Sequence, residues 1–210
     1  MASLADIRRR TAAIKPKSVS WARIVSDLIS PPVVWAVVGL VVGLTYGSTL
    51  PAGAFWGLIF GIFVCWLPLL FVALMVWRGR ISDIHMQHRH ERIMPMIVTI
   101  ASSFLALWLV ETRDAPPVFV LLTLIALVQI SLMLIITLFW QISMHTMSIT
   151  AATIAVSTMF STMSGLLLVP LIVLVAAARL ELKRHTPGQV LGGTIVGGIV
   201  PLVVLGILNA

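Results

Sequence analysis

All five histidines of this chain fall in three short polar segments, and each segment also carries arginine, hydroxyl or amide side chains. Residues 78–93 hold four Arg, three His, Asp83 and Glu91 within sixteen positions. Arg89 and Arg92 stand three apart, the spacing of one helical face, where forked guanidinium donors could clamp an anionic oxygen. Asp83 is close enough along the chain to orient one of them, and His85 adds an imidazole. Residues 141–146 hold Ser143, His145 and Thr146 in an apolar context, where an imidazole needs a partner or a function. The third segment runs from Arg179 to His185 and on through Thr186-Pro187-Gly188 to Gln189. Imidazoles can attack an electrophile or move a proton, and guanidinium groups can hold oxyanions. Taken singly, each segment also has a structural reading: a solvated basic loop, a hydrogen-bonded histidine, a cation at a helix C-terminus.

Long apolar runs must position these segments. The chain has 210 residues, of which 60% are hydrophobic and 10% charged, against roughly 25% charged in soluble domains. Runs of this length mark an all-helical membrane protein. Seven spans are expected, at about 32–48, 54–77, 94–111, 117–140, 147–163, 166–181 and 189–209. The 147–181 stretch is taken as a short hairpin, with a turn at Ser164 and Gly165. Residues 1–30 form a separate unit: a basic arm over 1–17, then an amphipathic helix with Trp21, Ile24, Val25, Leu28 and Ile29 at helical spacing, suited to the headgroup layer. Residues 31–210 form the transmembrane domain. No cleavable leader is expected, because the first 30 residues lack a continuous apolar core. Trp35, Trp56, Trp77 and Trp140 fall near expected span ends, where aromatic belts form.

Charge orients the chain. With seven spans, every Lys and Arg except Arg113 lies on the side of the N-terminus, so that side is cytoplasmic and the C-terminus lies outside. All three polar segments then open on the cytoplasmic face. The net charge of +7 flanks apolar spans, so membrane lipids are the expected partners rather than nucleic acid. Asp83, His85, His88 and His90 offer metal-ligand types, but five histidines are too few for a histidine-rich membrane hydroxylase. Four scattered Asp do not make a magnesium-diphosphate site. Met144, Met147, Met159 and Met163 read as adaptable packing rather than copper ligands, and Cys65 as a small buried hydrophobe. No metal or cofactor is expected.

In order and spacing over residues 20–210, the three segments resemble the signature motifs of the type 2 phosphatidic acid phosphatase superfamily. Those motifs are Lys-x6-Arg-Pro, Pro-Ser-Gly-His and Ser-Arg-x5-His-x3-Asp. Here they correspond to His85-x6-Arg92 with Pro95 three later, Ile142-Ser143-Met144-His145, and Ala178-Arg179-x5-His185-x3-Gln189. The resemblance implies a phosphatase-like helical bundle that hydrolyses lipid or isoprenoid phosphates through a phosphohistidine. His185 would be the nucleophile and His145 the acid. Arg92 and Arg179 would hold phosphate with His85, and Arg89 is a further candidate without a motif counterpart. Gln189, Asp83 and Ser143 would support them. The expected location is a plasma membrane of the prokaryotic kind.

The chain departs from the motifs at several points. Gln189 replaces the aspartate that orients the nucleophilic histidine. Its amide can accept a ring N–H but brings no charge; Glu181 or Asp83 could supply one. His85 replaces the motif lysine, and the glycine and proline before His145 are missing. The alternative is a degenerate member that binds headgroups as a scaffold or assembly subunit, with membrane-complex partner proteins.

Overall fold

The computed structural model describes residues 20–84, 86 and 88–208, and among these every regular element is helical. The basic arm and His85 lie outside the described residues. Helix α1 (Trp21–Leu28) is capped by Ser20, whose hydroxyl accepts from the Arg23 amide. Pro31 and Pro32 open α2 (Pro31–Tyr46), where missing N–H groups cost nothing. The two helices meet at a bend of 46°. Thr49 caps α3 (Leu50–Trp77) through the Ala52 amide. A wide π-helical segment, Gly61–Trp66, interrupts α3 just before Pro68. A proline ring collides with the carbonyl four residues back, and the wider turn relieves that clash.

A loop and a short 3₁₀ turn (Arg89–Arg92) lead into α4 (Ile93–Thr112). Asp114 adopts a left-handed φ of 52° in the turn before α5 (Pro117–Thr137). Then follow α6 (Met144–Met159), the short α7 (Thr162–Leu166), α8 (Val169–Glu181) and α9 (Pro187–Leu208).

Among the described residues, five helical stretches are long and apolar enough to cross a membrane: Leu50–Trp77, Arg89–Thr112, Pro117–Thr137, Thr162–Glu181 and Pro187–Leu208. Counting the bent α1–α2 pair gives six. Helix α6, at 16 residues, is shorter than these, yet it is the most enclosed. Ile149, Ala151, Ala152 and Ala155 are buried on it, and Thr146, Ser148, Thr150 and Thr153 are buried as well. A helix sheltered by protein need not be as apolar as one facing lipid, which explains its polar composition. The outward faces carry Leu58, Leu70, Phe104, Trp108, Leu202 and Ile207, a surface suited to hydrocarbon and expected of an integral membrane protein.

Helices α6 and α9 run parallel from a common end. The Ser143 amide donates to the Gln189 carbonyl (2.9 Å), and the Thr146 hydroxyl donates to the Val190 carbonyl (3.1 Å). Gly193 and Gly197 permit this approach: a Cβ on either would lie 2.4 Å from the Ser143 oxygen or 2.3 Å from the Met147 oxygen.

Two expectations are corrected. Residues 147–181 fold as α6, α7 and α8, and the chain turns at Phe160 and Ser161; Ser164 and Gly165 lie inside α7, where Gly165 packs on Ser157. The Ser161 hydroxyl, which accepts from the Ser164 amide, is the local cause. Trp35 is not an interfacial anchor but a buried wall of the cavity described below.

Candidate functional site

The starts of α4, α6 and α9 and the last turn of α8 converge at one end of the bundle. A cavity of about 450 Å³ lies beneath them. Its polar end is lined by Arg92, His145, Arg179, His185 and Asp27; the remainder is mostly apolar, with Trp35, Val64, Val72, Met96, Ile130 and Met147 among its walls. The π-segment of α3 contributes Val64 and Cys65, so the wide turn borders the site. Thus both histidines and both arginines of the motif-like segments line one hollow.

His185 precedes α9, and Thr186 caps that helix by accepting from the Gln189 amide (3.4 Å). Gln189 folds back. Its side-chain oxygen lies 3.2 Å from His185 Nδ1 and 3.1 Å from the Thr186 amide nitrogen. A backbone N–H can only donate, so the amide atom is an acceptor and His185 Nδ1 carries the ring proton. In the neutral ring, Nε2 therefore holds the lone pair. Burial pushes the His185 pKa down from 6.5 to about 4, and the nearby Arg179 and Arg92 charges push the same way. The ring is neutral and basic at Nε2 over the physiological range.

His145 has the opposite arrangement. Its Nε2 lies 3.1 Å from the carbonyl oxygen of Ser26, which can only accept, so Nε2 carries a proton. The Ser26 hydroxyl accepts from Arg179 Nη1 at 2.6 Å. Helix α1 is therefore part of the site. It presents its small buried face, Ala22 and Ser26, to α8 and leaves Trp21, Ile24 and Leu28 exposed. Of the apolar residues in the amphipathic pattern, Trp21, Ile24 and Leu28 are exposed while Val25 and Ile29 pack against the core, and the pattern gave no sign of the role of Ser26, since a lone serine in a helix is unremarkable in sequence.

Arg92 is buried at the foot of α4, with Nε donating to the Met86 carbonyl (2.9 Å). Met86 holds a left-handed φ of 44°. Arg179 is 2% exposed, and its Nε has no hydrogen-bond partner. Arg184 approaches the same group of cations, and its Nη1 is also buried without a hydrogen bond. Two near-buried guanidinium groups beside a third are costly unless anionic oxygens meet them.

Other expected members take different places. Arg89 is exposed at the outer edge of the 3₁₀ turn and does not line the cavity. It stands where the chain enters from the exposed loop, whereas Arg92, at the turn's end, points into the bundle; they do not form one clamp. Asp83 pairs with Arg184 (3.7 Å). Glu181 is exposed, and the position beside His185 is filled by Gln189. Ser143 is fully buried as the cap of α6, accepting from the Thr146 amide at 3.4 Å. That is a structural role, and it fixes the start of the helix bearing His145. His88 and His90 stack on each other, ring centroids 5.8 Å apart. Among the described residues no three His, Cys, Asp or Glu side chains gather as a metal site.

No protein-family model, curated protein or solved structure matches the chain, so the site rests on its own geometry.

Proposed function

We propose that this protein is a membrane phosphatase that cleaves phosphate from amphiphilic substrates, lipid or isoprenoid phosphates, at the cytoplasmic face. In this reading the bundle spans the membrane seven times, with α6 as the sheltered span, the N-terminus inside and the C-terminus outside. The observation that carries the proposal is the convergence of His145, His185, Arg92 and Arg179, from three separated segments, on one cavity with apolar lower walls. A charged head and an apolar chamber match the two halves of such a substrate.

The proton positions supply a mechanism. His185 Nε2 attacks phosphorus and forms an N–P bond as the bond to the leaving oxygen breaks. His145 enters as an imidazolium protonated on both ring nitrogens, turns its Nε2 proton from the Ser26 carbonyl to that oxygen, and becomes neutral. Neutral His145 then takes a proton from water, which attacks the phosphohistidine and releases phosphate. Arg92 and Arg179 balance the charge on the equatorial oxygens throughout. Gln189 fixes the His185 tautomer but does not stabilise its cation, so turnover is slow compared with an aspartate-supported site.

The test is phosphate release from lipid phosphates by the purified protein and by His185→Ala. Equal rates in the two reject the enzyme. The neutral amide at Gln189 is the specific observation favouring a second reading, a headgroup-binding scaffold. In that case phosphonate lipids bind but no phosphate appears.

A further inference from the structure

The apolar part of the cavity contains one group that does not belong with hydrocarbon. Gln129 on α5 is 2% exposed, lines the cavity, and its side-chain NH₂ has no hydrogen-bond partner. Its neighbours along the same wall, Ala126 and Ile130, are apolar. An unpaired amide donor in a buried apolar setting is strongly disfavoured, so its presence at a cavity wall points to an acceptor supplied by whatever fills the cavity.

Its depth sets where that acceptor lies. Gln129 is eight residues from Thr137, the last residue of α5, and a short link then leads to His145 at the start of α6. At about 1.5 Å per residue, eight residues place Gln129 on the order of 10 Å below the phosphate-binding end. An ester carbonyl beside the phosphate-bearing backbone of an acyl lipid lies five or six bonds from phosphorus, nearer the mouth than the Gln129 backbone, and the Gln129 side chain with one hydrogen bond spans the difference. A prenyl chain has no oxygen there.

We infer that Gln129 is a specificity-determining residue that donates a hydrogen bond to an ester carbonyl of the substrate's tail, selecting acyl-ester lipid phosphates over all-hydrocarbon prenyl phosphates. The inference rests on the phosphatase reading only for its kinetic arm. A site that offers a buried donor discriminates against a ligand without the acceptor, because binding that ligand leaves the donor unpaired. The bound ester needs a turn of the Gln129 side chain, which closes the wall with its NH₂ buried, and no movement of α5.

The experiment uses the full chain in lipid nanodiscs with two non-hydrolysable probes, a diacylglycerol phosphonate and a geranylgeranyl phosphonate. Binding is read from the fluorescence of Trp35 in the cavity wall against a Trp35→Phe background, and phosphate release is measured with the matching phosphate esters. The wild-type protein should bind the ester probe about tenfold more tightly, the worth of one hydrogen bond to a buried donor. Gln129→Leu should reduce that preference to within about twofold, mainly by improving the prenyl probe. Gln129→Met, closer in shape, should do the same and serves if the leucine variant does not fold. Equal binding of both probes by the wild type, or an unchanged preference in the folded variants, overturns the inference. Binding selectivity without phosphate release would reject the phosphatase and keep the role of Gln129; phosphate release without selectivity would do the reverse.

Discussion

The side-chain oxygen of Gln189 accepts from His185 Nδ1 at 3.2 Å while holding the Thr186 amide at 3.1 Å. This pair of contacts fixes both the orientation and the tautomer of the histidine. It does for geometry what an aspartate would do, and it lacks only the charge. Replacing Gln189 with Asp, one methylene shorter, should place a carboxylate beside the Nδ1 proton and stabilise the imidazolium-like phosphohistidine. Loss of the analogous acid's charge costs on the order of 10⁴ in rate in serine-protease triads, so a gain of tenfold or more in kcat is expected here. Gln189→Leu should lower kcat and release the start of α9. Steady-state phosphate release decides; an aspartate variant that folds but is slower than wild type removes Gln189 from the positioning role.

His145 lines the cavity and holds its Nε2 proton against the Ser26 carbonyl, from which it turns to reach a leaving oxygen. His145→Ala should lower kcat about 10²–10⁴-fold for alkyl phosphates, the usual worth of a general acid. For an aryl phosphate, whose leaving group needs no proton, the loss should be far smaller. The same loss on both substrates would mean that His145 holds the structure rather than delivers a proton.

Ser26→Ala removes the acceptor for Arg179 Nη1 while keeping the backbone carbonyl that faces His145. Leaving a second buried guanidinium N–H unpaired should cost about 1–3 kcal/mol of stability. Detergent-solubilised thermal unfolding measures this. KM should change more than kcat, because the freed guanidinium alters the anion site and leaves the acid in place.

Gly193→Ala and Gly197→Ala place a methyl group against backbone carbonyl oxygens of α6. Each should destabilise the bundle by roughly 1–3 kcal/mol through overpacking. The starts of α6 and α9, which carry His145 and follow His185, should separate. Gly206, with nothing near its Cβ position, is the control; Gly206→Ala should leave the unfolding midpoint unchanged.

The low His185 pKa has a defined sign in stability. The ring titrates near 6.5 when exposed and at about 4 in the fold, where burial and then the Arg179 and Arg92 charges oppose protonation. The unfolded chain therefore binds the extra proton between these values. The contribution of His185 is fully present above pH 6.5 and is lost as pH falls toward 4. The difference in unfolding midpoint between wild type and His185→Gln should be constant above neutrality and shrink across that window. An unchanging difference would place His185 in water rather than in the cavity.

The sequence alone determined the features that depend on near neighbours. Long apolar runs required helices, and the structure starts three of them at Pro31, Pro117 and Pro187, where the fixed φ and missing N–H suit the first turn. The capping pattern of Thr186 and Gln189 was enough to fold Gln189 back to His185, since the two residues satisfy each other's amides at the start of α9. Packing decided the rest. Arg89 and Arg92 share a spacing, but only the fold turned one into the cavity and left the other in solvent. Ser26 reaches Arg179 across 153 positions, Asp83 reaches Arg184, and Gln129 faces a cavity built by other helices. No local period encodes such contacts, because they depend on how helix faces dock and on which buried polar atoms that docking leaves paired.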